Sequence, residues 1–539
     1  MPAEVLTPDS LHGPDVALPA RTSTSPGARN FTAALDRLRA IAASLLCWLL
    51  IGALAVRVVG LERPLVGTFA TKAAVHAMEA RNWALGRAPI WQPTIDTLAD
   101  GTRAWHLMEW PAVAYAAGLG WRFCGGSLDA WGRGISVACS LLSVWLAYRI
   151  AGRWFGARAA QGAAFVIAFS PVSIVYGQSF LLEASIAALT LATIDSFDRW
   201  LATRRLSYFA VTSIALGLAV LTKVYSIFVV FGLWSAFARS SKAAEPCHEK
   251  PVIYGLPRQF RSAGLVSLLL LVGLLPAICW YSWVYSVSPS VGPAAEYHPV
   301  SRAAIHGFPH PLLFSPTYYA RLASDFCTVV LTPFGVLLAL FGLVDVRFRP
   351  HLPLFASSAV LLVLLPLKFM AANYYYVVLL PVLALAAGLG WQRLCERTCE
   401  SQLLGRRALT CLVVASLAIA LRYAIGPAYR TLDEDRGVVA AAAAARTATN
   451  NEEPIATMHG STLDLLYYCD RTGWAFDVAD SKLADKLDLA RRNGATKLIV
   501  AGLDSVARHP ATSELLATLV VEQSGDDWRL YSLSIPASR

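Results

Sequence analysis

The sequence predicts a mainly α-helical membrane protein that crosses the bilayer many times and ends in a small α/β domain. Of its 539 residues, 56% are hydrophobic and only 15% are charged, and the mean hydropathy is +0.50. A soluble globular protein carries about 25% charged residues. Long apolar runs recur as far as residue 429, and the charge density rises after it. A cytosolic enzyme, a disordered scaffold and a secreted disulfide-rich module are therefore excluded.

The apolar runs set the expected number of spans. Residues 1–29 are rich in Pro, Ser, Thr and Ala and predict a disordered cytoplasmic leader; the first apolar run begins near residue 41, too late for a cleavable signal peptide. A span needs roughly 20 apolar residues. About eleven spans are expected, over residues 41–60, 130–150, 157–175, 181–198, 206–222, 224–238, 263–285, 325–345, 352–369, 374–391 and 408–426. The stretch 206–238 is compatible with one long helix or two short ones.

The distribution of Arg and Lys predicts the orientation. If the N-terminus is placed in the cytoplasm, the cytoplasmic loops are rich in Arg and Lys. The short loops on the other side carry almost no basic residues, apart from Lys223 and Lys368. This requires the short amphipathic segment 109–124 to lie along the outer surface. A membrane domain over residues 30–429 then has two long outer loops, 61–129 and 286–324. Because membrane orientation explains the basic excess, no nucleic-acid partner is predicted.

Residues 430–539 predict a separate soluble α/β domain on the outer face. They hold 12 basic and 16 acidic residues, a net charge of −4, whereas the rest of the chain carries +14. Residues 482–502 read as a helix, a stop at Gly494 and a strand. Further strand-like runs occur at 454–459, 465–469, 516–523 and 528–534. The ten cysteines of the chain form no CxxC motif or Cys/His cluster, so no zinc site is predicted.

The first outer loop contains two groups of candidate functional residues. Lys72, His76 and Glu79 lie at i, i+4 and i+7, on one face of a predicted helix. An interfacial helix with a wet face explains this pattern equally well. The second group consists of Asp96, Asp100, His106 and Glu109, with Trp105 and Trp110 beside them. Aromatic walls with carboxylates suit sugar binding, although Trp is also typical of membrane interfaces.

Three more ionisable residues lie at the outer ends of spans, where burial is costly and function is the default interpretation. Glu183 follows a very short turn in YGQSFLLEAS, Lys223 lies in LTKVYS, and Lys368 lies in PLKFMAANYYY. Snorkelling structural lysines are one explanation for the cations. The other is a site for a lipid phosphate at the outer interface.

An ordered set of motifs resembles a known superfamily. It comprises the ARN-type helix of the first outer loop, Glu109-Trp110-Pro111, SPVSIVYGQSFLLE (170–183), LTK (221–223), LTPFG (331–335) and NYYYVVLLP (373–381). Over roughly residues 35–500 the chain resembles the GT-C-type glycosyltransferases, in particular bacterial dolichyl-phosphate-mannose-protein mannosyltransferase-like proteins and the aminoarabinose transferases. The fold expected from the resemblance is GT-C-like, in the bacterial inner membrane.

The resemblance implies inverting transfer of a sugar from a polyprenyl-phosphate donor to an acceptor hydroxyl on the outer face. Such enzymes use one carboxylate as general base, and cations, in some members a divalent metal ion, on the departing phosphate. By position, Glu183 and Glu109 match acidic residues of the family. Lys223, and Lys368 with Tyr374 and Tyr375, match residues that contact the phosphate.

One departure from the family concerns the base. Where well-known members have an Asp-Glu pair before the Arg that is here Arg81, this chain has Thr71-Lys72-Ala73. The base therefore comes from elsewhere or the activity is lost; Asp96 and Glu109 are the first substitutes, followed by Glu79. The expected catalytic residues are Asp96, Glu109 and Glu183, and the expected substrate-binding residues are Lys72, His76, Arg81, Trp110, Lys223, Lys368, Tyr374 and Tyr375.

Two other functions remain open at this point. A transporter or flippase of lipid-linked sugars is one, although its usual internal repeat with broken spans in both halves is not visible. A degenerate member that binds lipid phosphate without catalysis is the other, and the missing Asp supports it. The expected partners are a lipid-linked sugar donor and an acceptor that is a protein, a lipid or a glycan.

Overall fold

The computed structural model describes residues 45–67, 69–99, 101–243, 258–287, 310–398, 403–429 and 433–533. The predicted leader 1–29, the candidate residue Asp100 and residues 288–309 of the second outer loop lie outside these ranges. The described part is mostly helical with one small sheet, as the sequence predicts.

The secondary structure of the described residues up to 429 is helical, apart from two short strands. They are Leu45–Val58 (α1), Ala70–Ala84 (α2), Ala112–Cys124 (α3), Leu128–Trp154 (α4), Ala157–Phe169 (α5), Pro171–Tyr176 (α6), Glu183–Thr203 (α7), Leu206–Thr222 (α8), Val229–Ala243 (α9), Arg258–Val287 (α10), Pro316–Asp325 (α11), Pro333–Leu343 (α12), Leu352–Leu364 (α13), Pro366–Ala371 (α14), Leu380–Thr398 (α15) and Leu403–Tyr429 (α16). Short 3₁₀ turns cover Val224–Phe228, Pro311–Phe314, Val346–His351 and Asn373–Val378, and a π turn covers Phe326–Val330.

The C-terminal segment alternates helices and strands. Its helices are Asp433–Ala448 (α17), Asp464–Cys469 (α18), Leu483–Arg492 (α19), Leu503–Ala507 (α20) and Pro510–Ala517 (α21). The strands of the chain are Thr94–Ala99 (β1), Thr102–Trp105 (β2), Ile455–Met458 (β3), Gly473–Phe476 (β4), Lys497–Ala501 (β5), Val520–Ser524 (β6) and Trp528–Ser532 (β7).

One seven-stranded sheet joins the predicted first outer loop (residues 61–129) to the C-terminal segment. Its order is β2-β1-β4-β3-β5-β7-β6. The central strands are parallel, with Ile455 opposite Gly473 and Ala456 opposite Leu498, and β1 extends them through the pair Thr97 and Gly473. Strands β2, β7 and β6 are antiparallel to their neighbours. The sheet therefore holds the first outer loop against the α/β segment.

The structure corrects one strand prediction and shifts another. The run 465–469 is the helix α18, because it packs its apolar side chains against α2 and α17 rather than entering the sheet. Strand β6 begins at Val520, since residues 516–519 complete the preceding helix and turn. The strands at 455–458 and 528–532 and the helix–Gly–strand pattern around Gly494 are confirmed. That residues 430–539 form a separate soluble domain stays a prediction.

The structure also breaks one predicted span. Residues 325–345 form a π turn and α12, which meet at a bend of 105°. Thr332 has φ +101° and Pro333 begins α12 without an N–H to donate, so a continuous helix cannot form there. The stretch 206–238 likewise divides at Lys223, where the backbone is extended (φ −153°, ψ 117°), so the two-helix alternative is correct.

Few of the described helices are both long enough and apolar enough to cross a membrane. Leu128–Trp154 and Gly264–Val287 meet that criterion within the described ranges, and the bent pair Pro316–Val330 and Pro333–Leu343 is a third if it forms one span. The predicted count of eleven spans includes the shorter apolar helices, and it remains a prediction.

Glycines allow the helices around α15 to pack closely. A Cβ on Gly390 would collide with the Leu338 carbonyl of α12, and one on Gly342 would collide with the Ala386 carbonyl of α15. On the opposite side of α15, Gly388 faces the Ala159 carbonyl of α5 in the same way. Small residues are favoured at such interfaces because helix association in lipid depends on close van der Waals contact.

We predict that Gly390→Leu destabilises the protein by about 1–3 kcal/mol, because the added side chain overpacks the α12–α15 interface. The measurement is thermal unfolding in detergent. Gly134→Leu on α4 is the matched control, since a Cβ there meets nothing within 4 Å. Equal melting temperatures for the two variants would contradict the close approach of these helices.

Candidate active site

Glu109 and Lys223 form a buried ion pair in which the ammonium Nζ donates to Oε1 of the carboxylate. Lys223 follows the last turn of α8, and Glu109 lies in the segment after β2. Hydrogen bonds hold this segment on both sides of Glu109: the Trp280 indole donates to the Met108 carbonyl (3.1 Å), and the Trp110 N–H donates to the Leu221 carbonyl (3.0 Å). The pair is therefore placed by backbone contacts to α8 and α10.

A partly buried cation and a second buried carboxylate lie next to this pair. The Lys72 Nζ is 4.0 Å from Oε1 of Glu183 and 4.4 Å from the centroid of the Tyr374 ring. Lys72 projects from the first turn of α2, and Glu183 is the first residue of α7, where the helix dipole favours an anion. We call Lys72, Glu109, Glu183 and Lys223 the charged cluster.

The proximity of these groups shifts their pKa values. Burial alone would raise the pKa of Glu109, but Lys223, then Lys72 and His76, hold it well below its usual range. Burial, and then the charge of Lys223, lower the pKa of Lys72. Glu109 is therefore an anion at neutral pH.

Three carboxylate oxygens of the cluster have no hydrogen-bond donor among the described residues. They are Oε2 of Glu109 and both Oε1 and Oε2 of Glu183, and all three are buried. Buried polar atoms in native proteins are almost always satisfied by protein, water or a ligand. The cluster is thus equipped to accept hydrogen bonds from a bound hydroxyl group.

Tyrosines surround the cluster on one side. The rings of Tyr374 and Tyr375 are 4.5 Å apart, and Tyr225 lies 5.9 Å from Tyr375. The ring of Phe69 is 5.0 Å from Tyr374 and 6.2 Å from Tyr176. Tyr176 and Tyr225 were not predicted, because a single tyrosine near the end of an apolar run carries no distinguishing pattern in the sequence.

His76 and Glu79 lie on the same helix as Lys72 and form a second polar group. Glu79 is buried and receives hydrogen bonds from His76 Nδ1 (3.0 Å) and His106 Nδ1 (2.6 Å). Burial would raise the pKa of Glu79, but His106 and then His76 hold it below its usual value. On the predicted shared face, His76 and Glu79 are buried and Lys72 is partly buried, so this face points into the protein and is not a wet interfacial face.

Two other predicted residues, Arg81 and Asp96, bind each other. Arg81 donates to Asp96 (2.6 Å) and to the Tyr467 carbonyl (2.9 Å), and it lies 3.3 Å from Asp470. Asp96 also accepts from Asn82 (3.1 Å). These contacts join α2, β1 and α18, and they leave Asp96 engaged with Arg81 rather than with Lys72 or Lys223.

Trp110 lines an apolar cavity of 640 Å³ beside Glu109. The cavity lies between α8 and α10, and its other aromatic walls are Trp91, Trp280 and Trp283. Lys368 is half-buried on α14, and within the described ranges its side chain forms no ion pair with the charged cluster. Of the predicted binding residues, the structure thus places four near Lys72: His76, Lys223, Tyr374 and Tyr375. The other three, Arg81, Trp110 and Lys368, lie elsewhere.

The cluster is poorly suited to a metal ion. No group of three His, Cys, Asp or Glu side chains among the described residues could hold one. Each of the two carboxylates of the cluster has an ammonium group near it.

Comparisons with known proteins identify the fold. A family sequence model described as dolichyl-phosphate-mannose-protein mannosyltransferase matches residues 109–280. The crystal structure of ArnT from Cupriavidus metallidurans bound to undecaprenyl phosphate superposes with a TM-score of 0.61 at 16% identity, over 91% of this chain and 98% of that chain.

A second similar structure is an oligosaccharyltransferase. AglB from Archaeoglobus fulgidus, in complex with an inhibitory peptide and a dolichol-phosphate, has a TM-score of 0.51 at 14% identity, covering 88% of this chain and 72% of that one. The chain has the GT-C glycosyltransferase fold. The resemblance seen in the sequence is thereby confirmed, and the fold supports membrane localisation. No curated protein sequence matches it.

We predict that Glu109→Gln destabilises this GT-C protein by about 3 kcal/mol, because it leaves the Lys223 charge buried without a partner. The matched control is Glu396→Gln, which breaks a surface pair with Arg347 and costs less than about 1 kcal/mol. Thermal unfolding in detergent measures both.

The same variant has an expected pH signature. The pKa of Glu109 is depressed in the folded protein, so its stabilisation is complete above the usual carboxyl value of 4.5 and is lost as the pH falls below it. The difference in melting temperature between wild type and Glu109→Gln should therefore shrink below about pH 4.5. A constant difference down to pH 3 would contradict the ionised pair.

Proposed function

We propose that this protein is an inverting glycosyltransferase that moves a sugar from a polyprenyl-phosphate donor to an acceptor hydroxyl on the outer face of the cell membrane. The observation that carries the proposal is the charged cluster itself, in which two carboxylates and two lysines from four separate segments meet. The likeness to glycosyltransferases with bound polyprenyl phosphates supports a lipid-linked donor.

The lysines are proposed to act on the phosphate of the donor. When the sugar leaves, negative charge develops on the phosphate oxygens, and preorganised cations stabilise it. Lys223 is buried and Lys72 is partly buried, so their charges are less screened than on the surface. Burial, and then the charge of Lys223, lower the pKa of Lys72, and a bound phosphate would offset the repulsion between the two lysines. Lys368 is the proposed cation farther along the lipid path.

The carboxylates are proposed to hold the lysines and the acceptor. Glu109 neutralises Lys223, and Glu183 lies beside Lys72. Their three unpartnered oxygens can accept hydrogen bonds from hydroxyl groups of the acceptor and the sugar. Asp96 is the third proposed catalytic carboxylate, and it would have to exchange its contact with Arg81 to reach a substrate.

The apolar cavity is proposed to receive the polyprenyl chain. It is lined almost wholly by apolar side chains, and Trp110 connects it directly to Glu109. An isoprenoid chain needs an apolar groove that is continuous with the phosphate site. In the proposed orientation the N-terminus is cytoplasmic, and α2, the sheet and the C-terminal segment lie outside, in the periplasm of a bacterium.

We predict that Glu183→Gln lowers turnover by about 100-fold or more, because a neutral amide cannot balance Lys72 or orient the acceptor as the carboxylate does. Purified protein is given a pool of polyprenyl-phosphate sugars and total lipid from its source membranes, and free polyprenyl phosphate is detected by mass spectrometry. Asp198→Asn is the matched control, since Asp198 lies on the same helix but pairs with Arg153 far from the cluster.

Two results would overturn the proposal. One is that wild type consumes no donor from the pool while it binds the lipid, as expected of a degenerate member. The other is movement of labelled lipid-linked sugar across proteoliposome membranes without any sugar transfer, as expected of a flippase. Full activity of Glu183→Gln beside an active wild type would overturn the role of Glu183 alone.

A further inference from the structure

We infer that His76, held by Glu79, is the general base that takes the proton from the acceptor hydroxyl. This inference rests on the proposed function and names the residue that replaces the carboxylate missing from the family's usual position. It follows from three features of the structure: the tautomer of His76, the burial of its free nitrogen, and its place beside the charged cluster.

The hydrogen bonds around Glu79 determine the tautomer of His76. An ionised carboxylate only accepts hydrogen bonds, so Nδ1 of His76 carries a proton, which it donates to Oε2 of Glu79 at 3.0 Å. In a neutral imidazole the other nitrogen, Nε2, then has a free lone pair. His76 is thus oriented by a carboxylate in the way that histidine bases are held in hydrolases.

The Nε2 atom of His76 is buried and has no hydrogen-bond partner among the described residues. The side chain is only 3% exposed, so water around the folded protein does not satisfy this atom. A buried nitrogen without a partner calls for a specific explanation, such as a catalytic role or a bound ligand. His106, the other imidazole on Glu79, is not among the residues with such an orphaned atom.

His76 lies beside the charged cluster. It is one helical turn after Lys72, and residues four apart share a helix face. Its ring is 6.5 Å from that of Phe180, in the turn that leads into Glu183. When it is protonated, its charge also lowers the pKa of Glu109, after the effects of Lys223 and Lys72. His76 therefore lies on the side of α2 that carries Lys72 of the charged cluster.

An imidazole suits the proton transfer better than the carboxylates of the cluster do. A general base is most effective when its pKa lies near the working pH, which is the normal range of histidine. Protonation of Glu109 would break its ion pair with Lys223, and Glu183 has the Lys72 ammonium 4.0 Å away. Protonation of His76 instead places a positive charge beside the anionic Glu79.

The step balances as follows. The acceptor O–H bond breaks and its proton moves to Nε2 of His76, while the oxygen forms the new bond to the anomeric carbon. The bond from that carbon to the phosphate breaks, and its electron pair leaves with the polyprenyl phosphate beside Lys72 and Lys223. The imidazolium stays hydrogen-bonded to Glu79 until product release returns the proton to solvent.

The experiment uses the donor that wild type consumes in the assay above and records kcat and KM between pH 5 and 9. We expect the wild-type kcat to fall on the acid side, where protonation removes the base. His76→Asn should lower kcat by about 10²–10⁴-fold, leave the KM for the donor within about threefold, and abolish the acid limb. His76→Gln provides a second variant if the first does not fold.

Glu79 and His106 supply the controls. Glu79→Gln should move the acid limb to lower pH, because the carboxylate stabilises the imidazolium; this is the signature of a positioning residue. His106→Asn makes the same chemical change as His76→Asn on the other side of Glu79, and it should keep the acid limb with a loss of less than about tenfold. Six other ionisable groups lie around His76 and can also influence these pH profiles. They are Lys72, Glu79, His106, Glu109, Tyr115 and Glu183.

The outcomes separate the two proposals. If wild type consumes no donor, the proposed function falls, and the inference falls with it. If wild type turns over but folded His76→Asn keeps its kcat within about threefold, or keeps the acid limb, the role of His76 is wrong and the glycosyltransferase function stands. An equal loss in His76→Asn and His106→Asn would likewise show that Glu79 and its imidazoles only support the fold.

Discussion

The constraint on which the site depends is the burial of three charged side chains, with a fourth partly buried beside them, in a largely apolar protein. Removing an ion from water costs several kcal/mol even after the protein relaxes, and only an opposite charge nearby offsets it. Glu109 and Lys223, and Lys72 and Glu183, therefore have to meet. Because they come from α2, the loop after β2, α7 and α8, their pairing determines where those helices begin and end around the site.

The sheet gives the first outer loop a rigid support. Strand β1 pairs with β4 of the C-terminal segment, and Arg81 on α2 binds both Asp96 in β1 and Asp470 after α18. The hydroxyl groups of Tyr467 and Tyr468 donate hydrogen bonds to the carboxylate of Asp129 at the start of α4. The helix that carries Lys72, His76 and Glu79 is thus held by contacts from both sides, which limits how far these groups can move.

Much of the fold could be predicted because hydrophobicity is a local property. Helix α8 has the predicted bounds, and α4, α7 and α10 lie within a few residues of theirs. The bend at Thr332 and the helix at 464–469 were not predicted. The first depends on the backbone conformation that Thr332 adopts before Pro333, and the second on packing against α2 and α17, and neither appears in an apolar pattern.

The sequence by itself determined the class of the protein and the types of group in its site, since apolar runs, outer lysines and acidic residues are visible one by one. It also showed that the usual acidic pair is replaced at Thr71-Lys72-Ala73. Only the tertiary structure decided which charges become partners, that Asp96 binds Arg81, and that His76 shares Glu79 with His106. The reason is physical: partnership depends on distances between segments far apart in the chain, and those distances exist only after the helices pack.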